Sequence, residues 1–118
     1  MSDPAFIPLP AWLADSAWAA ALHVLTSERF AADLRVWDHV DLEQGLIDFD
    51  AICAQPWSGG EARLLGATAS LFAGGPVDLG ELVCGIDEVA WRLLCGAIAL
   101  RRAGVGPSPW PLPPATEL

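Results

Sequence analysis

Apolar residues recur along most of this chain at three- and four-residue intervals, the spacing that gathers side chains on one face of an α-helix. The clearest run lies between Trp57 and Gly104. Ser58 and Glu61 stand at capping-box spacing, which predicts a helix start. Leu64, Leu65, Thr68, Leu71 and Phe72 then form one stripe, opposite Arg63, Gly66, Ala67 and Ser70, until Gly74, Gly75 and Pro76 stop the pattern. Asp78 and Glu81 repeat the capping spacing ahead of Leu79, Leu82, Val83 and Ile86, a second and shorter helix that closes near Gly85. Asp87 can cap a third, over about 87–102. There Val89, Ala90, Trp91, Leu93, Leu94, Cys95, Ala97, Ile98 and Leu100 leave only a narrow polar strip through Glu88, Arg92 and Gly96. A helix so uniformly apolar is expected at the centre of the domain, enclosed by the others, with Trp57 and Trp91 in the core. Arg101 and Arg102 suit the negative end of its dipole, and Gly104 supplies a stop.

Upstream, Asp15 or Ser16 can cap a helix that carries Trp18, Ala21, Leu22 and Leu25 on one face, with Ala17, Ala19 and Ala20 adding propensity. Thr26 and Ser27 break it. Phe30, Leu34 and Trp37 predict a further helix from about Glu28, although the alternation of Leu34, Val36, Val40 and Leu42 fits a strand equally. The helix is the reading adopted, with a short hairpin inside 34–52 left open. From Asp48 to Ala54 a short helix would bury Phe49, Ile52 and Cys53 before Pro56 ends it. Residues 1–14 hold three prolines and read as an extended segment lying across the core. Residues 105–118 hold five and read as an extended or polyproline tail. The expected fold is all-α: one domain over 15–104, a bundle of four to six short helices around the central apolar one.

Charge narrows the function. Fifteen acids face six arginines, for a net charge of -9, and lysine is absent. That removes the P-loop lysine, Schiff-base chemistry and the lysine-rich surface of most nucleic-acid binders. It also disfavours anionic membranes. Seven of the acids, against two arginines, lie between Glu28 and Asp50, which predicts an acidic face. Apolar residues make up 53% and charged residues 18%, below the roughly 25% usual in soluble domains, so apolar surface is expected to stay exposed for self-association or a partner. Cys53, Cys84 and Cys95 form no C-x-x-C pair and are expected as free, buried thiols in a reducing cytosol. The first residues carry no basic region or unbroken apolar run, and the longest apolar stretches are interrupted by His23 or Arg92. A cytoplasmic protein without a membrane span is the expectation.

Each candidate site has a plainer reading beside it. Ser58-Gly59-Gly60 is similar, over those few residues, to the signature motif of ABC-type ATPases, but no G-x-x-x-x-G-K-[ST] accompanies it. Capping accounts for Ser58 and Glu61, and the Gly-rich helix start remains only a weak anion site at Ser58, Gly59 and Gly60. His39, Asp41 and Glu43 would share a face of an extended chain, yet the glycine-turned calcium-loop spacing is missing and a solvated acidic face explains them. The three cysteines are too scattered for structural zinc. His23, inside an apolar helix, reads as a core or boundary residue rather than a general base. No metal, cofactor or catalytic residue is assigned.

The short-helix, tight-turn, long-helix order also outlines a helix-turn-helix, in which Arg92, Arg101 and Arg102 would have to meet DNA. The long helix is too apolar and the chain too acidic for that, so no nucleic acid is expected. The sequence therefore predicts a non-catalytic acidic interaction module that binds a protein or itself. Trp12, Trp18, Trp37 and Trp110 are its candidate contacts, the last as an anchor in the proline tail.

Overall fold

Six helices begin in the same way, on a short polar side chain that accepts an amide hydrogen bond from the first turn. Asp15 opens α1 (Ser16–Leu25), Asp33 opens α2 (Leu34–Trp37), Asp48 opens α3 (Phe49–Cys53), and Asp78 opens α5 (Leu79–Gly85). Ser58 opens α4 (Gly59–Ala73) with a complete capping box to Glu61. Asp87 opens α6 (Glu88–Ala103) by accepting from the Ala90 amide at 2.8 Å. Each cap satisfies amides that have no partner inside the helix. The computed structural model describes residues 15–103; the expected terminal segments 1–14 and 105–118, and the stop at Gly104, lie outside them.

Between α2 and α3 the chain forms a small hairpin, not a continued helix. β1 (Val40–Asp41) pairs antiparallel with β2 (Leu46–Ile47), in the register Val40 to Ile47 and Asp41 to Leu46. Gly45, at φ 70°, and the Asp41 carboxylate, which accepts from the Gln44 amide, shape the turn. The helix expected from Glu28 is thus cut to four residues. Its expected apolar face is also wrong in part, because Leu34 is 67% exposed whereas Val36 is buried.

The core forms where α1 and α4 meet α6, with α3 and α5 resting on α4. Ala20, Ala21, Val24 and Leu25 of α1, Leu64 and Leu65 of α4, and Ala90, Leu94, Ala97 and Leu100 of α6 join Phe30, Val36 and Ile52 in one buried cluster. A fully buried leucine or phenylalanine here contributes about 1.5–3 kcal/mol relative to its exposed state. Alanines on α1 and Gly96 on α6 let the two helices approach closely. The His23 ring lies over Gly96 so tightly that a β-carbon there would overlap His23 Nε2.

Arginines fasten both ends of α6. Arg29 pairs with Asp87 at 2.9 Å, while Arg101 donates to the Leu71 carbonyl at 2.9 Å and to Ser16 Oγ at 2.7 Å. Gly74 (φ 87°) and Gly75 (φ 114°) end α4, as their position before Pro76 predicts. Among the described residues no helix is long and apolar enough to cross a membrane.

Candidate interaction surface

The central helix is buried along one side only. Ala90, Leu94, Gly96, Ala97 and Leu100 face the core, and Gly96, read from the sequence as part of the polar strip, is among them. On the other side Trp91 is 39% and Ile98 44% exposed, and Cys95 between them is also exposed. The expectation that α6 would be enclosed all round, with Trp91 in the core, is therefore corrected. Length and side-chain size explain the difference. Ten-residue α1 and the C-terminal part of α4 can cover one flank of a sixteen-residue helix, and they choose the flank of small residues, where backbones can close up.

The exposed flank continues onto α5. Leu79 is 69% and Val83 49% exposed, so of the expected stripe Leu79, Leu82, Val83 and Ile86 only Leu82 is buried. A shallow open concavity of about 230 Å³ brings Val83 and Ile86 beside Trp91, with Asp87 and Glu88 also lining it. The result is an apolar stripe from two helices, edged by carboxylates. At the other end of α6, Arg102 is exposed and makes no ion pair among the described residues, while Arg92 pairs with Glu88 at 3.3 Å within the helix.

The tryptophans singled out from sequence fall elsewhere. Trp18 is 5% exposed and meets the Phe72 ring edge-on at 5.3 Å, so it is a core residue and not a contact. Trp37 is half-buried, its indole N–H donated to the Phe30 carbonyl at 2.9 Å. Trp12 and Trp110 lie outside the described residues. Trp57 packs edge-on to Phe30 at 5.5 Å, donates to the Ile52 carbonyl at 2.6 Å and carries the Arg35 guanidinium 3.9 Å above its ring. Arg35 is itself held by Asp33, whose carboxyl is pushed below its ordinary value first by the hydrogen bond from Arg35. That cluster closes the loop before α4 onto α2.

At the Gly-rich start of α4 the Glu61 carboxylate fills the position that an anion would take. It accepts from the Ser58 amide at 3.3 Å and from Ser58 Oγ at 2.9 Å. Beside Gly59 a β-carbon would meet only the movable tip of Arg63, Nη1 at 3.1 Å, and beside Gly60 the Gly85 carbonyl at an ordinary contact distance of 3.5 Å. His39, Asp41 and Glu43 line an open concavity of about 590 Å³ on the hairpin together with Asp38 and Asp48. Among the described residues no group of three or more histidine, cysteine or carboxylate side chains is arranged to hold a metal ion. Asp33, Asp41 and Asp48, three of the seven acids in this region, cap helices or the hairpin turn, which gives much of its acidity a local structural cause.

The cysteines are exposed, not buried as expected. Partial burial pushes the Cys95 thiol up, helped by the nearby Glu88 charge, and burial with Asp50 does the same at Cys53. This is opposite to the depressed pKa of a reactive cysteine. Compared with protein-family models, curated proteins and solved structures, the chain matches none.

Proposed function

We propose that this chain is a non-catalytic, acidic interaction module of the cytoplasm, docking onto a protein through the outward stripe of α5 and α6. The observation that carries the proposal is a set of large apolar side chains on two consecutive helices: Leu79, Val83, Trp91 and Ile98 are all more than a third exposed, and Val83 and Trp91 line one concavity. A cluster of this kind on a small domain marks a contact surface, and a half-exposed tryptophan is the side chain most often found at the energetic centre of one. Carboxylates at Asp87 and Glu88 border it, and the net charge of -9 steers the module toward a neutral or basic partner surface. Three exposed thiols without a disulfide support a reducing compartment.

A helix-turn-helix role draws less support. Glu88 and Val89 occupy the first turn of α6, where a recognition helix presents base-reading side chains. The test is affinity capture from the source cell with the wild type and with Trp91→Asp/Ile98→Asp. The proposal expects a specific protein retained by the wild type and lost from the folded variant. Identical capture by both would overturn it.

A further inference from the structure

We infer that the stripe on α6 is built to meet a second copy of this chain, with the two α6 helices antiparallel. This rests on the reading above that the face is an interaction surface; two copies of net charge -9 repel overall, so what favours this occupant over a basic partner is the local charge pattern of the stripe. Outward positions on α6 run Glu88, Trp91, Cys95, Ile98, Arg102, at intervals of three, four, three and four residues. That is the spacing of a helix–helix seam, about 21 Å long at 1.5 Å per residue. Its charges lie at opposite ends: at the start the exposed Glu88 carboxylate, which Arg92 of the same helix meets at 3.3 Å through one oxygen, and at the finish a guanidinium without an ion-pair partner among the described residues.

Antiparallel pairing centred on Cys95 places Glu88 of each copy against Arg102 of the other, and Trp91 against the Ile98 region. Cys95 meets its own counterpart on the two-fold axis. Parallel pairing would instead set Glu88 against Glu88 and Arg102 against Arg102. The charge pattern thus selects the antiparallel orientation of the two that a two-fold, isologous interface allows. Val83 and Ile86, beside Trp91, widen the seam at both ends of such a dimer. Because the seam is short and each copy is strongly acidic, the dimer is weak and favoured by salt.

Three measurements on the full chain test this, with circular dichroism confirming that each variant folds. Sedimentation over a concentration series should show a reversible dimer. In a Cys53→Ser/Cys84→Ser background, mild oxidation by dissolved oxygen should join two chains through Cys95. Glu88→Arg and Arg102→Glu should each weaken association roughly tenfold, and the double reversal should restore it, since it rebuilds the same two pairs in the opposite sense. A chain that stays monomeric up to about 1 mM, a dimer that survives Trp91→Asp, or a double reversal no better than the singles overturns the inference. Those results leave the docking proposal standing if partner capture still depends on Trp91 and Ile98. If capture does not depend on them while the dimer forms as described, the heterologous partner is lost and the self-association remains.

Discussion

At the residue scale the contact between His23 and Gly96 decides how closely α1 and α6 can approach. Gly96→Ala gains helix propensity of up to about 1 kcal/mol but drives a methyl into the imidazole, an overlap that costs about 1–3 kcal/mol. The net expectation is destabilisation in urea unfolding, relieved in the double variant His23→Ala/Gly96→Ala relative to the sum of the singles. Gly66 is the control. A β-carbon there meets nothing within 4 Å, so Gly66→Ala should stabilise by about 0.5–1 kcal/mol. His23 also gives a pH dependence. Burial lowers its pKa from the ordinary 6.5, so the unfolded chain takes up its proton first as pH falls. Stability should therefore decline as pH drops from about 6.5 through the lowered folded value, and level off below it; His23→Gln should remove that step.

At the element scale the caps do most to fix where the chain turns. Ser58 holds α4 through a reciprocal capping box, and Ser58→Ala should cost about 1 kcal/mol of unfolding free energy, measured by urea titration. All of α4, α5 and α6 were legible from Ser58, Asp78 and Asp87 followed by apolar residues at helical spacing, because capping is local chemistry that neighbours do not override. The hairpin was less legible. Leu34 fits both the helical spacing with Phe30 and Trp37 and the alternation with Val36, Val40 and Leu42, and what separates the two is the turn built on Asp41 and Gly45, a local signal outweighed by the apolar spacing around it. The orientation of α6 was hidden for another reason. Its apolar residues surround the axis, so hydrophobicity assigns no inner side. Size would have done so, since Ala90, Gly96 and Ala97 mark the flank that meets the alanine-rich α1, leaving Trp91 and Ile98 on the other. Trp18 was misjudged because a tryptophan reads as a contact anchor until its neighbour is known, and that neighbour, Phe72, is fifty-four positions away.

At the scale of the whole molecule α6 is divided lengthwise, one flank building the core and the other left exposed, where we propose that a second macromolecule docks. Leu94, 2% exposed, belongs to the first, and Leu94→Ala should cost about 2–5 kcal/mol in a dilute unfolding titration, whereas Ile98→Ala on the opposite flank should cost well under half as much. The acidity has two origins, helix caps that hold the fold and exposed carboxylates free to steer association, so neutralising Glu43 should leave stability unchanged while neutralising Asp48 lowers it. The most direct test of the lengthwise division is the rate at which a maleimide labels Cys95 in dilute native Cys53→Ser/Cys84→Ser protein, compared with the same chain in urea. An outward Cys95 labels without waiting for unfolding, more slowly than in urea because burial and the Glu88 charge raise its thiol pKa. Labelling that waits for global unfolding would mean that the chain covers this flank itself, and would contradict the account.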